Sequence, residues 1–230
     1  MGGVKQLDLV KLSVREVNQF LHHELPGSSI ERVEVLNPDG AHSIAAGLDC
    51  DVAVEILGNA GYFVAGMNKR ATVTIHGNVG WSVAENIMSG MVRVKGHASQ
   101  CAGASGHGGL VVIEGDASSR CGISLKGGDM VVHGSVGHFS AFMAQAGTLV
   151  VCGDAGRNLG DSLYEATIYV AGKVQGLGVD AREEEMDTAD YEKVSLLLAA
   201  AEIDEDTKEF KRVASARSLY HWNVEAHQEY

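Results

Sequence analysis

Two histidines and two aspartates recur at equivalent positions of the sequence and are candidates for metal binding and for acid–base catalysis. His76 and His133 occupy equivalent positions of a 19-residue sequence repeat, three repeats apart. If each repeat forms one turn of stacked strands about 4.8 Å apart, these imidazoles lie about 14 Å apart, too far to share a metal ion. Asp116 and Asp154 are two repeats apart, at about 10 Å, which is near the limit for an inverting glycosidase. Solvated turn carboxylates are the simpler interpretation of this pair.

The four cysteines do not form a recognisable ligand set. Cys101, Cys121 and Cys152 fall at different positions of their repeats, and neither they nor Cys50 form a CxxC pair. This spacing disfavours a zinc or iron–sulfur site within the chain. Because no signal peptide precedes them, we expect buried, reduced thiols in a cytoplasmic protein.

One glycine-rich segment loosely matches a dinucleotide-binding fingerprint. Residues 176–181 read GLGVDA, and three consecutive glutamates follow at residues 183–185. These carboxylates would repel a pyrophosphate, so we predict no nucleotide or other cofactor site in this chain.

The net charge of -12 is unevenly distributed. Residues 52–176 carry eight basic and eight acidic side chains, whereas residues 177–209 carry three basic and twelve acidic ones. No basic stripe predicts nucleic-acid binding. Residues 130–152 contain no charged side chain, but they include several polar residues and follow the repeat in full. We therefore predict no membrane span.

Seven glycines stand 19 residues apart and define the repeat. They are Gly58, Gly77, Gly96, Gly115, Gly134, Gly153 and Gly172. A β-branched residue stands two positions before each of them, and apolar residues stand four before and two after. Because apolar side chains at every second position are typical of a strand with one buried face, each repeat predicts one strand followed by sharp corners. We expect the glycines to shape those corners through positive φ or close backbone approach.

A fixed period of this length is typical of a solenoid. We predict an all-β fold, a single-stranded right-handed parallel β-helix of about seven 19-residue turns, with N-terminal and C-terminal helical caps. The left-handed β-helix of hexapeptide acyltransferases is the nearest rival and needs an aliphatic residue at every sixth position. Six positions after the aliphatic series that begins at Ile56 come other residues: Tyr62, Trp81, Gln100, Ser119, His138 and Arg157. This series disfavours the left-handed alternative.

The chain divides into three predicted parts. Residues 1–51 hold a helix that opens with the capping box Ser13 and Glu16, followed by capping strands. Residues 52–180 form the β-helix. Residues 181–230 form an acidic helix and an aromatic tail, and the helix has an apolar stripe made of Tyr191, Val194, Leu197, Leu198 and Ala201.

The outward positions three before each glycine change character along the column. Glu55, Thr74 and Arg93 are polar, as expected of a solvated face. The next four are apolar: Val112, Val131, Val150 and Tyr169. Such a strip predicts a contact surface, either for the chain's own tail or for a partner subunit. The candidate partner interface comprises these four residues together with Tyr220 and Trp222 of the tail.

The glycine pattern, which closes on GDAGRNLGDSLYEA at residues 153–166, resembles the C-terminal β-helix domain of the glutamate synthase large subunit (the GXGXG repeat family). The same repeat occurs in the β-helix subunit of formylmethanofuran dehydrogenase. The segment GDSLYEATIYVAGKVQGLGVD (160–180), the EEEM that follows and SARSLYHW (215–222) look closest to the small glutamate-synthase-like subunit of N-methylglutamate synthase.

This resemblance implies a structural subunit without catalytic residues of its own. Its partners would be a class II glutamine-amidotransferase-like subunit and a glutamate-synthase-like subunit that binds FMN and an iron–sulfur cluster. The complex would exchange methylamine with the amino group of glutamate and release ammonia. Two alternatives remain: the corresponding β-helix subunit of a formylmethanofuran dehydrogenase or formyl-transfer complex, and a carbohydrate-active β-helix enzyme that depends on Asp116.

Overall fold

The computed structural model describes residues 3–216, and a parallel β-solenoid of about seven turns occupies most of that range. The strands in this part of the chain are β1 (Gly3–Asp8), β2 (Ile30–Leu36), β3 (Ala53–Leu57), β4 (Thr72–Ile75), β5 (Met91–Val94), β6 (Leu110–Ile113), β7 (Lys126–Val132), β8 (Ala146–Val151), β9 (Thr167–Val170), β10 (Ala181–Glu184) and β11 (Lys211–Ser215). They form one sheet in the order β1-β2-β3-β4-β5-β6-β7-β8-β9-β11-β10. The predicted all-β solenoid is confirmed, and its right-handed sense stays a prediction.

The register of the sheet follows the sequence repeat. From β3 to β9 each strand pairs in parallel with the next, so that Val54 lies beside Val73 and Val73 beside Val92. The side chains two and four positions before every repeat glycine are buried. A second row of parallel bridges joins the positions two after the glycines, from Ala60 to Val174. The sheet continues past the predicted boundary at residue 52, because β2 pairs in parallel with β3.

The repeat glycines are required mainly by close approach between turns. Only Gly58 has a φ in the left-handed region, at +146°. At the other six positions a side chain would meet the preceding turn. At Gly115, for example, a Cβ atom would lie 2.7 Å from the carbonyl oxygen of Gly96 and from Nδ1 of His97.

Positive φ occurs elsewhere in each turn, at positions five, seven and nine after the glycine. In the second turn these are Ser82, Ala84 and Asn86, with φ of 61°, 55° and 55°. The same three positions have positive φ in each of the first six turns. Most of the residues that adopt this conformation are not glycine, so each turn stores backbone strain that the hydrogen bonds to its neighbours must offset.

A helix covers the N-terminal end of the column. Helix α1 (Val14–Gln19) begins with the predicted capping box of Ser13 and Glu16 and continues into a π-helical turn, Phe20–Glu24. The Asn18 side chain accepts a hydrogen bond from the backbone N–H of Ala45 at 2.9 Å. In a later turn the equivalent N–H of Ala84 donates to Val64 of the preceding turn. The Asn18 side chain thus supplies the acceptor that a carbonyl group of the preceding turn supplies later in the column.

The C-terminal end is covered by strands. After β9, strand β11 adds to the sheet in antiparallel orientation, and β10 pairs with its outer side. Strand β10 carries Arg182, Glu183 and Glu184, and charged side chains on an outer strand disfavour further pairing. Helix α2 (Thr188–Ala200) was expected to cap this end. It packs instead on the outer face of the sheet.

Replacing Gly115 with alanine tests the requirement for close approach. We expect Gly115→Ala to lower the free energy of unfolding by about 2–3 kcal/mol, because its Cβ would collide with the backbone of the preceding turn. Urea denaturation followed by circular dichroism measures this loss.

Gly122→Ala is the matched control. Gly122 has a φ of +66°, but a Cβ there meets only the Met130 sulfur at 3.4 Å, and alanine already occupies the equivalent position as Ala65, Ala84 and Ala141. We expect a loss of about 1 kcal/mol, the cost of the left-handed conformation. Equal losses for the two variants would contradict the close-approach explanation.

Candidate functional site

The positions directly after the repeat glycines form a ladder of hydrogen bonds along the column. A side-chain acceptor at this position in one turn accepts the backbone N–H of the equivalent residue in the next. The six donor–acceptor pairs lie 2.8–3.0 Å apart, with acceptors on Asn59, Asn78, His97, Asp116, Ser135 and Asp154. The ladder satisfies N–H groups where each strand ends. Sequence reasoning missed it, although six short or ring-nitrogen acceptors in register were a visible signal.

This ladder accounts for the two aspartates considered as a glycosidase pair. Asp116 accepts the N–H of Ser135, and Asp154 accepts the N–H of Lys173, each at 2.8 Å. Both carboxylates therefore have a structural partner in the adjacent turn. This arrangement favours the interpretation as turn carboxylates.

The two candidate histidines have separate partners. His76 Nε2 lies 2.5 Å from a Glu55 carboxylate oxygen, and His133 Nε2 lies 3.2 Å from Glu205. Within residues 3–216 no three His, Cys, Asp or Glu side chains form a group that could hold a metal ion.

The cysteines are all free thiols, and the two most buried ones are poor nucleophiles. Burial raises the pKa of the Cys121 thiol to about 12, and burial also raises the pKa of Cys152 to about 12, with the nearby Glu205 carboxylate adding to the effect. A thiol with such a pKa is protonated at neutral pH, and only the thiolate is a strong nucleophile.

The glycine fingerprint and the uncharged segment also have structural explanations. Residues 176–180 lead into strand β10, whereas a dinucleotide fingerprint would open a helix. Residues 130–152 contribute to strands β7 and β8. The described part of the chain contains no helix that is long and apolar enough to cross a membrane.

The predicted apolar strip is covered by the chain itself. Its four residues, Val112, Val131, Val150 and Tyr169, are at most 4% exposed. They form a second apolar cluster with Val194, Leu197 and Leu198 of helix α2 and with Phe210. The prediction that these four residues belong to a partner interface is therefore corrected: of the two occupants expected for the strip, the chain's own C-terminal segment is the one present. Tyr220 and Trp222 lie outside the described residues.

Arg93 was expected on a solvated face, but it is only 7% exposed. Its guanidinium Nη1 donates to the carbonyl oxygen of Ala201 and lies 3.0 Å from a Glu114 carboxylate oxygen. Ala201 caps the C-terminal end of helix α2, where carbonyl groups have no partner within the helix and attract a cation. Arg93 therefore fixes the end of α2 on the sheet. No local sequence pattern could show this, because its partner lies 108 residues away.

The other end of helix α2 is fixed by Asp190. This residue completes an unpredicted capping box with Asp187, and its other carboxylate oxygen accepts a hydrogen bond from the Tyr169 hydroxyl at 2.6 Å. Burial and this hydrogen bond raise the pKa of Tyr169 well above its usual value. Between the two ends, Lys193 forms an ion pair with Asp129 at 3.0 Å. Polar contacts thus surround the apolar strip under α2.

A different surface of the column remains uncovered in the described part of the chain. It is formed by the positions four and five after the repeat glycines, from Tyr62 and Phe63 in the first turn to Arg157 and Asn158 in the sixth. None of these twelve positions carries an acidic residue, in a chain that has 30. We call this surface the acid-free face. The positions four after the glycines are the same residues that disfavoured the left-handed β-helix. The sequence analysis did not recognise that these residues form a surface.

The two ends of the acid-free face differ in chemistry. Tyr62 is 52% exposed, and Trp81 in the next turn is 61% exposed. The Tyr62 ring stacks on the His42 ring, with the two ring centroids 4.1 Å apart. At the other end, Arg120, His138 and Arg157 line a groove of ≈ 590 Å³. One end is aromatic and the other is cationic.

Removing the Arg93 guanidinium tests its role in holding helix α2. We expect Arg93→Ala to cost about 3 kcal/mol of unfolding free energy, because Ala201 and Glu114 lose a buried partner. We also expect faster amide hydrogen exchange in residues 188–200, measured by mass spectrometry.

Lys95→Ala removes the other cation bound to Glu114. The Lys95 Nζ lies 2.6 Å from a Glu114 carboxylate oxygen, and the Lys95 side chain is 41% exposed. We expect a cost of at most about 1 kcal/mol and unchanged exchange in α2. If both variants loosened α2 to the same extent, Arg93 would not be its specific anchor.

Comparison with known proteins places the chain in a family. No protein-family model matches it, and no solved structure does. It is 52% identical over 220 residues to Protein GlxC of Rhizobium meliloti (strain 1021), and the match spans 95% of this chain and 96% of that protein. Identity at this level over nearly the whole of both chains shows common descent, and the chain belongs to the GlxC protein family.

Proposed function

We propose that this chain is a non-catalytic structural subunit of a glutamate-synthase-like complex, and that the complex is N-methylglutamate synthase. Its partners would be a class II glutamine-amidotransferase-like subunit and a subunit that binds FMN and an iron–sulfur cluster. Together they would convert methylamine and glutamate to N-methylglutamate and ammonia. The chain itself would hold the other subunits in place.

The hydrogen-bond ladder is the observation that carries this proposal. The aspartates that stood out as candidate catalytic groups accept backbone N–H groups of the next turn, Asp116 from Ser135 and Asp154 from Lys173. Each of these carboxylates uses one oxygen to hold the backbone of the next turn, which gives the side chain a structural role in the column. The resemblance of the glycine repeat to the glutamate synthase domain supports the kind of complex.

The surface of the column also supports a scaffold role. The acid-free face keeps two large aromatic side chains in solvent, Tyr62 and Trp81. Tyrosine and tryptophan are enriched at protein interfaces, where they supply contact area at low entropic cost. Such exposure is typical of a surface that binds another protein.

Reconstitution from purified subunits tests the proposed function. We expect the chain alone to be colourless and to catalyse no methylamine–glutamate exchange, measured as N-methylglutamate by mass spectrometry. Together with the amidotransferase-like and flavin-binding subunits it should form a complex that separates as one peak on gel filtration and catalyses the exchange. Omission of the chain should abolish assembly of the other two.

Four results would contradict the proposal. Flavin bound to the isolated chain, or exchange activity without partners, would make it an enzyme. Co-purification from native cells with a molybdopterin protein or an amidohydrolase would favour the formylmethanofuran dehydrogenase type of complex. Polysaccharide cleavage by the isolated chain that is lost in Asp116→Asn would favour a carbohydrate-active enzyme.

A further inference from the structure

The acid-free face is straight and long enough to hold an extended peptide. Its six turns are spaced at about 4.8 Å, so the face extends over about 24 Å. A fully extended segment of about seven residues has this length. The turns are connected by backbone hydrogen bonds, such as those from Ser82 to Gln100 and from Arg120 to His138. The face is therefore a rigid surface that would not need to be ordered on binding.

The two arginines at one end of this face, Arg120 and Arg157, differ from the paired arginines elsewhere in the described residues. Arg93, Arg182 and Arg212 each lie within ion-pair distance of a glutamate. Within residues 3–216 no carboxylate lies within that distance of Arg120 or Arg157. In a chain of net charge -12, two such guanidinium groups beside one groove are a local exception. Guanidinium groups bind carboxylates through paired hydrogen bonds.

Carboxylates do lie on the surfaces on either side of the acid-free face, and they limit which ligand can bind there. Asp116 and Asp154 each lie three positions before the acid-free face of their turn, and Glu85 lies three positions after it. A nucleic acid would bring one phosphate per nucleotide against these groups and needs a longer basic stripe. A short acidic peptide can place its few carboxylates at the cationic end and its apolar side chains at the aromatic end.

We infer that the acid-free face is the docking surface for an extended acidic segment of a partner protein, whose carboxylates bind Arg120 and Arg157 and whose apolar side chains pack on Tyr62 and Trp81. The inference deepens the proposed function and rests on the chain being a subunit. It does not depend on which reaction the complex catalyses.

Site-specific cross-linking in the native cells locates the partner. A photoreactive benzoyl-phenylalanine replaces Trp81 in the tagged full-length chain, and in a second variant it replaces Leu196, which is 69% exposed on helix α2. We expect position 81 to cross-link to an acidic segment of a co-purifying protein and position 196 to give no such product. Mass spectrometry of the cross-linked peptides identifies the segment.

The outcomes separate the two proposals. A partner that co-purifies but gives no cross-link from position 81 overturns the docking surface and leaves the proposed function intact. Cross-links from position 81 to residues 217–230 of the same chain, to a second copy or to nucleic acid also overturn it. Purification without any partner protein overturns both proposals.

Charge reversal tests the cationic end independently. We expect Arg120→Glu combined with Arg157→Glu to lower partner recovery about tenfold or more, because both carboxylate contacts become repulsive. Arg15→Glu is the matched control, since Arg15 is also exposed and an acidic residue is favourable in the first turn of α1. It should change recovery by less than about twofold. Circular dichroism verifies that each variant is folded, and full partner recovery by the folded double variant would overturn the inference.

Discussion

Successive turns of this protein approach each other so closely at the repeat glycines that no side chain fits between them. A Cβ atom at Gly115 would lie 2.7 Å from the carbonyl oxygen of Gly96, well inside contact distance. This approach lets the positions from five to two before each glycine pair with the next strand in the same register, and it lets the acceptors directly after the glycines reach the following turn. It also supports the positive-φ positions, since nearly all of these strained residues donate their backbone N–H to a carbonyl group of a neighbouring turn. Because each turn needs a glycine at this contact, the glycines recur every 19 residues in the sequence.

The sequence predicted the features that apolar spacing and capping patterns encode, and it missed the polar contacts between turns and the contacts between distant segments. The solenoid, the inward positions and the N-terminal capping box of Ser13 are consequences of local pattern, and the structure confirms them. The apolar strip was recognised as a covered surface, but its occupant depends on how a distant segment folds back. Arg93 was assigned to solvent because its contact with Ala201 spans 108 residues. The positive-φ positions gave no signal, since phenylalanine, arginine and methionine occupy several of them.

The sequence pointed to candidate catalytic residues, whereas the structure points to an exposed surface. Residues chosen for their chemistry, such as Asp116 and Cys121, prove to be a backbone acceptor and a buried thiol. Residues that stood out only because they broke a rival pattern, such as Trp81 and Arg157, form the exposed acid-free face. The regular spacing therefore indicated architecture, whereas the departures from aliphatic character within that spacing indicated the surface. This contrast is physically reasonable, because a repeat must be uniform inside but is free to vary outside.

Helix α2 fixes how many turns the column can have between strands β5 and β9. It runs along the column, with Asp190 bound to Tyr169 in β9, Lys193 to Asp129 in β7 and Ala201 to Arg93 in β5. The four steps from β5 to β9 measure about 19 Å, and the eleven residues from Asp190 to Ala201 rise about 17 Å. Gain or loss of a whole turn in this interval would put one end of the helix out of reach of its anchor. Within the described residues helix α2 has no such anchor before β5, so a whole repeat added or removed there would leave all three of these contacts in place.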